Sequence, residues 1–448
     1  MSGKVGDNLF RASGLVKAGA TGRTGTVDWD TTPKTSTFTA VSGNGYFCNT
    51  TAGTFEVDLP VGTAGAIVSV QDYNNTFDSN SLTVDPNGSE KINGGTAGGI
   101  VELTTEGEGI TLVYVDSTVG WRSIQDNVFA DPGATPAYVV ATGGTPSTGT
   151  IDGDYKIHSF TGTGPLCVSA AGNAAGNNKI DYIVVAGGAG GGWDRGGGGG
   201  AGGFRESKQP DAPWTASPLA AACGITATVT DYTITVGSGG AAGVSPGPQQ
   251  GQSGTTSVFS TITSASGGGG GAASPAPSVP GLPGGSGGGA SGTGPGSQTG
   301  GTGNTPPTSP AQGTNGGNRP APTSTTVPGS GGGGATVAGT NGAGGGGNGV
   351  AGGAGATTNI TASPVVYAGG GGGAGSWCCG STSRTGGPGG AGGGGAGGNS
   401  PGTAAQPGAA GSANTGGGGG GGGNPSGSGP SAGGAGGTGI VVVRYKFQ

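Results

Sequence analysis

Alternating apolar and polar residues predict a series of short β-strands in the first third of the chain. At 55–59 the apolar side chains face one way while Glu56 and Asp58 face the other, which is the pattern of a half-buried strand. Many short strands separated by turn residues predict a sandwich or a trimeric β-prism for residues 26–130. Comparable runs, rich in β-branched and aromatic residues, occur at 67–70, 81–85, 101–103, 110–115, 138–140, 155–160 and 166–168.

The pattern changes after residue 179, where strand-like runs frame long stretches of glycine. Such runs occur at 180–185, 232–236, 256–262, 363–367 and 439–447. In the last run the odd-numbered apolar residues from 441 to 447 share one face, and Arg444 and Lys446 lie on the other. A flexible linker has no reason to end on a well-patterned strand, so the run at 439–447 is expected to close a folded domain.

Glycine supplies 118 of the 448 residues, and only 8% of the residues are charged. Composition alone is typical of a disordered Gly/Ser linker. Collagen is excluded because glycine does not recur at every third position. A third interpretation is a polyglycine-II-type bundle, in which extended helices with three residues per turn pack side by side and pair their backbone groups with neighbours.

The energetics of such a bundle require nearly complete hydrogen bonding. Fixing one residue costs roughly 1–2 kcal/mol, and a backbone hydrogen bond returns a net of roughly 0.5–1.5 kcal/mol. We therefore expect an all-β protein in which conventional strands brace the glycine helices. The expected segments are 1–25, a β domain at 26–130, a β framework at 131–179 and a glycine-rich domain at 180–448.

Charge and hydropathy exclude several classes of protein. The formal net charge is −6 and the pI is near 4.7, so no basic surface indicates a nucleic-acid partner. The chain lacks an apolar run long enough to span a membrane, and the sequence from Met1 to Asp7 lacks the apolar core of a signal peptide. We therefore expect synthesis in a cytoplasm and no membrane insertion. Since the glycine-rich composition is that of an extracellular structural material, release in a virus particle by lysis would reconcile the two observations.

No constellation of residues predicts an enzyme, and no cofactor or metal site is expected. His158 is the only histidine, and it lies within a predicted strand without a nucleophile motif around it. The Asp152-Gly153-Asp154 sequence predicts a hairpin turn, because a calcium loop needs more acidic residues. A glycan hydrolase would need two opposed carboxylates, and no acidic residue follows Asp231.

A few large side chains interrupt the glycine runs and are the candidate binding residues. An aromatic face beside an arginine suits contact with a sugar or an outer-membrane protein. The alternative is that the tryptophans fill gaps in the bundle and that Asp194 and Arg195 form a local ion pair worth under about 1 kcal/mol. Cys378 and Cys379 are adjacent, either as small loop residues or as a redox or interchain link. The candidates are Trp193, Arg195, Arg319, Trp377 and Arg384.

The framing strands and their glycine flanks resemble the glycine-rich domain of bacteriophage tail-fibre proteins and adhesins. The resemblance covers residues 138–448, and the earlier β domain more distantly resembles modules in fibres of phages that infect marine bacteria. The segments that carry it are 153–160, 180–188, 199–205, 234–240, 257–259 and 439–445.

The resemblance implies a structural fibre protein of a phage virion. In such a protein, loops at the surface of a glycine bundle would contact the host. It implies a homotrimer, attachment to other virion proteins through residues 1–25, and a host cell-surface glycan or outer-membrane protein as receptor. Two other classes stay open. One is a capsid fibre or decoration protein that needs no receptor, and the other is a glycan depolymerase.

Overall fold

A computed structural model describes most of the chain, and every regular element in it is a β-strand. This confirms the predicted all-β class. The chain forms two compact units, residues 1–137 with 173–176 and residues 138–172 with 177–448. Apart from two short strands, the expected attachment segment 1–25 lies outside the described residues, and so do Cys378 and Cys379. The described residues are 17–18, 22–23, 27–124, 136–273, 278–293, 296–321, 327–342, 347–377, 383–401, 404–424 and 429–448.

The first unit contains eleven strands among its described residues, and most of them form two sheets. The sheet orders are β11-β10-β7-β5-β3 and β4-β6-β8-β9, with β1 and β2 paired separately. The strands are β1 (Lys17–Ala18), β2 (Gly22–Arg23), β3 (Asp28–Lys34), β4 (Phe38–Thr39), β5 (Asn44–Cys48), β6 (Phe55–Asp58), β7 (Ile67–Asp72), β8 (Leu82–Asp85), β9 (Val101–Leu103), β10 (Gly109–Asp116) and β11 (Gly120–Ser123).

From β3 to β8 the chain alternates between the two sheets, so that it winds around a shared core. As a result β3, β5 and β7 are parallel in one sheet, and β4, β6 and β8 are parallel in the other. Val57, Leu82 and Val84 from one sheet share a single buried cluster with Val68 and Leu112 from the other. The described residues of this unit are therefore a two-sheet sandwich, one of the two expected architectures.

The second unit contains the remaining strands. Its sheets have the orders β13-β14-β25-β16-β17-β18, with β19 also paired to β16, then β12-β15-β20-β21-β22, and β23-β24. The strands are β12 (Val139–Gly143), β13 (Thr150–Asp152), β14 (Tyr155–Phe160), β15 (Gly164–Ala171), β16 (Lys179–Val185), β17 (Phe204–Ser207), β18 (Ala220–Ala221), β19 (Ile225–Thr226), β20 (Thr230–Thr235), β21 (Ser257–Phe259), β22 (Ile262–Ser264), β23 (Ala356–Thr358), β24 (Val365–Tyr367) and β25 (Ile440–Lys446).

Two local predictions have clear outcomes in this unit. The Asp152-Gly153-Asp154 sequence does form a hairpin turn, in which Asp152 pairs with Tyr155 and Gly153 has a φ of 57°. The run at 256–262, expected as one strand, is instead a tight hairpin of β21 and β22. Ser260 has a φ of 54° at the turn. The strand pattern of a β-branched run does not predict a residue in this left-handed conformation.

The central strands β16 and β25 are covered on both faces. Val441, Val443 and Tyr445 lie in a cluster with Phe259 of the five-stranded sheet, which agrees with the predicted apolar face. The opposite face is buried as well: Val442 belongs to a second cluster that contains alanines of the glycine-rich region. Arg444, on this second face, is only 1% exposed.

The pairing of β16 with β25 continues into the glycine-rich region. Beyond the strand ends, Gly188 N donates to Gly437 O and Gly191 N donates to Gly434 O, so the partners recur every three residues instead of every two. The intervening donors point elsewhere, since Ala189 N bonds Gly200 O and Gly190 N bonds Gln252 O. Three residues per repeat is the period of a polyproline-II-type helix.

Segment 186–193 shows how far this pairing goes. Its N–H groups donate to three segments, 197–203, 249–255 and 434–437. Its carbonyls accept from three further segments, 240–243, 267–270 and 419–422. Six neighbours thus satisfy the backbone of one segment within a single chain. The described glycine segments of this region, with their shared hydrogen bonds, are called the glycine bundle below.

Glycine is required in the bundle because the backbones approach too closely for a side chain. A Cβ built on Gly198 would lie 2.0 Å from the carbonyl oxygen of Gly371, and one on Gly191 would lie 2.0 Å from that of Gly420. Real Cβ atoms do not come this near to backbone oxygen. Alanine occurs where a methyl group has room, as at Ala201 and Ala335 against the apolar cluster.

Candidate functional site

The glycine segments reverse direction at the end of the bundle farthest from β16 and β25. The segment after β16 runs to Trp193, turns at Asp194 and Arg195, and returns to β17. Asp194 and Arg195 have φ values of 51° and 49°, so the turn is made by two consecutive left-handed residues. The residues that meet at this end, 193–196, 376–377, 384, 400 and 424, are called the tip.

Hydrogen bonds join the separate turns of the tip. Asn424 donates from its side chain to the Asp194 carboxylate, and its backbone is bridged to Ser376. The Ser400 hydroxyl accepts from Asn424 N at 2.8 Å and donates to Gly375 O at 2.7 Å. The Ser400 backbone pairs in turn with that of Arg384. Four predicted contacts, Trp193, Arg195, Trp377 and Arg384, are therefore brought to one end of the bundle.

The side chains of the tip are partly available to a partner. Trp193, Arg195, Trp377 and Arg384 are all half-buried. Arg195 pairs with Asp194 through Nε and Oδ1 at 3.0 Å and through Nη2 and Oδ2 at 3.1 Å. The local ion pair considered from sequence is thus formed, and the Arg195 side chain remains 21% exposed.

Arg319 does not fit the predicted role. Its side chain is fully buried, and Nη2 donates to the carbonyl of Gly296. Because a buried guanidinium cannot touch a receptor without a change of fold, the prediction of Arg319 as a surface contact is wrong for this structure. The prolines around Arg319 in the sequence did not predict that its side chain would be buried.

A second concave site lies at the opposite end of the same unit, beyond the last residues of β25. It is a cavity of about 520 Å³. The floor is the seven-stranded sheet, where Tyr155 and Arg444 contribute side chains, and the walls come from the hairpin turn and two loops. The residues with polar or aromatic side chains in its lining are Asp152, Asp154, Tyr155, Trp214, Thr215, Asn359 and Arg444. We call this cavity the sheet-end pocket.

Arg444 organises the floor of the sheet-end pocket. Its Nη2 is 2.7 Å from Oδ2 of Asp152, and its Nη1 donates to Ile360 O at 3.3 Å. The guanidinium carbon lies 4.9 Å from the ring centre of Tyr155. Nε is buried and has no hydrogen-bond partner among the described residues. The arginine is thus fixed on two sides and retains one unused donor.

Buried carboxylates hold the wall that carries Trp214. Asp181 accepts from Gln209 N at 3.0 Å, and Glu206 accepts from Ser217 N at 2.8 Å. Burial raises the pKa of Asp181 to about 6, although the hydrogen bond from Gln209 stabilises its charge. Burial also raises the pKa of Glu206. The opposite wall is tied to this one, since Asn359 N donates to Thr215 O at 2.8 Å.

His158 is a buried member of the core. Its Nδ1 lies 2.7 Å from Gly143 O and its Nε2 lies 3.0 Å from the Tyr445 hydroxyl. Burial lowers the pKa of the imidazole, which favours the neutral form. With both ring nitrogens already hydrogen-bonded, this geometry agrees with the interpretation of His158 as a structural residue.

The first unit contains a group of three neighbouring carboxylates. Glu56, Asp58 and Asp85 have ligand atoms within 4.8 Å of one another on β6 and β8. Burial and hydrogen bonding with Asp85 and Asp58 raise the pKa of Glu56 to about 7. Glu56 therefore keeps its proton to a higher pH than an isolated carboxyl does, which reduces the repulsion within this group.

These features define an all-β protein with a hydrogen-bonded glycine bundle that carries loops at one end and a pocket at the other. A glycine-rich domain family matches residues 168–446, more than half of the chain, and the chain belongs to that family. No curated protein matches the sequence significantly. No helix in the described part of the chain is long and apolar enough to cross a membrane.

Sequence reasoning found the tip but missed the sheet-end pocket. The tip residues stood out because they are large side chains in runs of glycine. The pocket residues do not differ from their sequence surroundings in this way. Asp152 and Asp154 fit a hairpin turn, and Arg444 fits the polar face of a strand. The one usable signal was Trp214, an aromatic residue in a proline-flanked loop between strands.

Proposed function

We propose that this protein is a structural fibre protein of a phage virion and that the tip contacts a receptor on the host surface. The receptor is a cell-surface glycan or an outer-membrane protein. The observation that carries the proposal is the convergence of Trp193, Arg195, Trp377 and Arg384, which are separated by up to 191 positions in the sequence, at one end of the bundle.

The architecture suits a fibre end. We propose that the glycine segments are polyglycine-II-type helices, which the three-residue period and the six neighbours of segment 186–193 support. Such a bundle exposes few side chains of its own, so the turns at its end supply the chemistry. Turns on a rigid support can vary in sequence without disturbing the support, which is how receptor-binding loops are commonly presented.

The assembly is part of the proposal. Residues 1–25 attach the chain to other virion proteins, and the chain forms a homotrimer. Since segment 186–193 satisfies its backbone within one chain, trimer contacts are expected outside the interior of the bundle. The resemblance of the framing strands to fibre adhesins supports this arrangement.

Cell binding of the full-length protein tests the role of the tip. Trp377→Ala and Arg384→Ala should each weaken binding by about tenfold or more, as expected for aromatic and arginine anchors. Trp29→Ala and Arg122→Ala serve as matched controls, because both side chains are exposed in the first unit. Thermal unfolding of all four variants should stay within a few degrees of the unmodified protein, about the shift of a 1 kcal/mol change or less.

Equal binding by the tip variants and the controls would contradict the receptor role. The position of the protein on particles gives a second test, using electron microscopy with antibody against the 193–196 turn. Label at tail-fibre ends supports an adhesin, whereas label spread over the head supports the capsid-fibre alternative. A loss of host polysaccharide on incubation would instead indicate a depolymerase.

A further inference from the structure

The sheet-end pocket has the size and the walls of a ligand site, and it is independent of the tip. Its volume of about 520 Å³ lies within the range of roughly 300–1,000 Å³ that is common for small-molecule sites. We infer that this pocket binds a neutral saccharide, in the range of one or two sugar rings. The inference holds whether or not the tip contacts a receptor.

The charges of the pocket limit its ligand. Arg444 is already neutralised by Asp152 at 2.7 Å, and Asp154 adds a further carboxylate that is exposed at the rim. The lining therefore carries one net negative charge, which opposes phosphate, sulfate and acidic sugars. A neutral ligand with many hydroxyl groups meets no such penalty.

The hydrogen-bonding groups match a sugar. Carboxylates accept from pairs of hydroxyls, and Asp154 makes no side-chain hydrogen bond among the described residues. The side-chain amide of Asn359 is likewise without a described partner, and it can both donate and accept.

Aromatic groups give the site its apolar surface. Tyr155 and Trp214 both line the cavity, and sugar rings place their C–H faces on such side chains. Trp214 lines the cavity but is only 6% exposed, so it is held in place and offers a ligand a small part of its surface. The carboxylates of Asp181 and Glu206 fix the loop that carries it.

The pocket is built in advance of any ligand. The loop at 359–362 is held from both sides, by Asn359 N on Thr215 O and by Arg444 on Ile360 O. Ala362 has a φ of 67°, and its N–H closes the loop onto Asn359 O at 2.9 Å. Walls that are already ordered lose little conformational entropy on binding, so weak contacts with a small sugar can suffice.

Titration of the full-length protein with neutral methyl hexosides tests the inference, with binding followed by NMR chemical shifts or calorimetry. We use the methyl glycosides of glucose, galactose, mannose and N-acetylglucosamine. At least one should bind with a dissociation constant of about 1 mM or tighter, which corresponds to about −4 kcal/mol. Glucuronic acid and glucosamine are the charged comparisons.

Two variants locate the binding. Asp154→Asn and Asn359→Ala should each weaken binding of the hexoside by about tenfold or more, since the first replaces a charged acceptor by a weaker neutral one and the second removes a polar side chain. Asp211→Asn is the matched control, because Asp211 is exposed on the neighbouring loop but does not line the cavity. Trp377→Ala should leave hexoside binding unchanged, which separates this pocket from the tip.

Several results would overturn the inference. The inference would be overturned if no neutral hexoside bound at concentrations up to about 50 mM, since the dissociation constant would then be far weaker than the expected value of about 1 mM. Binding of glucuronic acid in preference to all neutral sugars would contradict the argument from charge. Binding of glucosamine in preference to all neutral sugars would contradict the inference that the ligand is neutral. Equal effects of Asp154→Asn and Asp211→Asn would place the ligand elsewhere.

Discussion

The sandwich of the first unit and the glycine bundle of the second are stabilised by different parts of the chain. In the sandwich, large side chains such as Trp121, Phe77 and Leu82 are fully buried between two sheets. In the bundle, Gly188, Gly191 and their neighbours bury almost no side chain and instead pair each N–H and C=O with another segment. One region depends on the hydrophobic effect, and the other depends on saturated hydrogen bonding at very close approach.

The difference shows where each region tolerates change. A sandwich core can relax partly around a smaller side chain, because side chains adopt other rotamers. The bundle has no side chains to adjust, so any added atom must move the backbone and break hydrogen bonds on several sides. We therefore expect the bundle to be the more sensitive region to the smallest substitutions, and the sandwich to large deletions.

The largest effect should come from Gly198→Ala. Its Cβ would lie 2.0 Å from Gly371 O and force apart two segments, which should cost well above the roughly 1–3 kcal/mol of ordinary overpacking. Amide hydrogen exchange of 186–203 would then show loss of protection across the bundle. Gly162→Ala is the control, since nothing lies within 4 Å of its Cβ position, and it should change stability by under about 0.5 kcal/mol. Equal protection in both variants would contradict the close-packed bundle.

In the sandwich, Trp121→Ala should cost about 3–5 kcal/mol. Trp121 is fully buried, donates from Nε1 to Glu90 at 2.9 Å and packs edge-on against Tyr114. Urea denaturation followed by hydrogen exchange of 27–124 would measure the loss. Trp29→Ala removes a Trp that is 43% exposed, so it should cost under about 1 kcal/mol. Similar losses in both variants would mean that the described core does not carry the stability of this unit.

The effect of Asp181→Asn should be smaller and should depend on pH. Burial raises the pKa of Asp181 to about 6, above its unfolded value of 3.8. The folded carboxyl therefore keeps its proton to higher pH, and the stability of the second unit falls as pH rises from about 4 to about 6. Because asparagine stays neutral, the variant should lack this loss and be up to about 3 kcal/mol more stable near pH 8.

Urea denaturation between about pH 4 and about pH 8 measures this difference, with Asp211→Asn as the exposed control. The free energies of unfolding of Asp181→Asn and of the unmodified protein, plotted against pH, should meet near pH 4. A constant difference across the range would show that the substitution acts through packing and not through ionisation.

The smallest effect should come from Glu56→Gln in the sandwich. The pKa of Glu56 is raised to about 7 by burial and by Asp85 and Asp58, so the unmodified sandwich loses stability as pH rises from about 4.5 to about 7. Solvent screening at this half-buried site should keep the gain in the variant under about 1 kcal/mol above neutral pH. NMR titration of the carboxyl carbons would measure the pKa directly, and a value near 4.5 would show that the three carboxylates do not couple.

Much of the fold followed from local patterns in the sequence. The alternation at 55–59, 81–85 and 439–447 predicted strands that the structure contains as β6, β8 and β25. The turn at Asp152-Gly153-Asp154 was also predicted, because turn residues act on their own neighbours. The break at Ser260 was missed, since a β-branched run gives no sign of a left-handed residue within it.

The candidate sites were predicted unevenly for a related reason. Trp193, Arg195, Trp377 and Arg384 were found because they interrupt glycine, yet nothing in the sequence indicated that they meet. Arg319 looked equivalent to them and is buried. Charged residues are buried only when the surrounding chain supplies partners, and those partners come from positions that are distant in sequence.

By itself the sequence determined the class of structure, the positions of most strands and the need for backbone pairing in the glycine runs. These properties depend on the period of apolar residues and on the size of glycine, and both are local. The tertiary structure alone decided which glycine segments are neighbours, that Arg444 forms the floor of a pocket, and that four distant residues share one tip. Glycine segments have almost no side chains to distinguish one partner from another, so their pairing is fixed by the strands and turns that frame them.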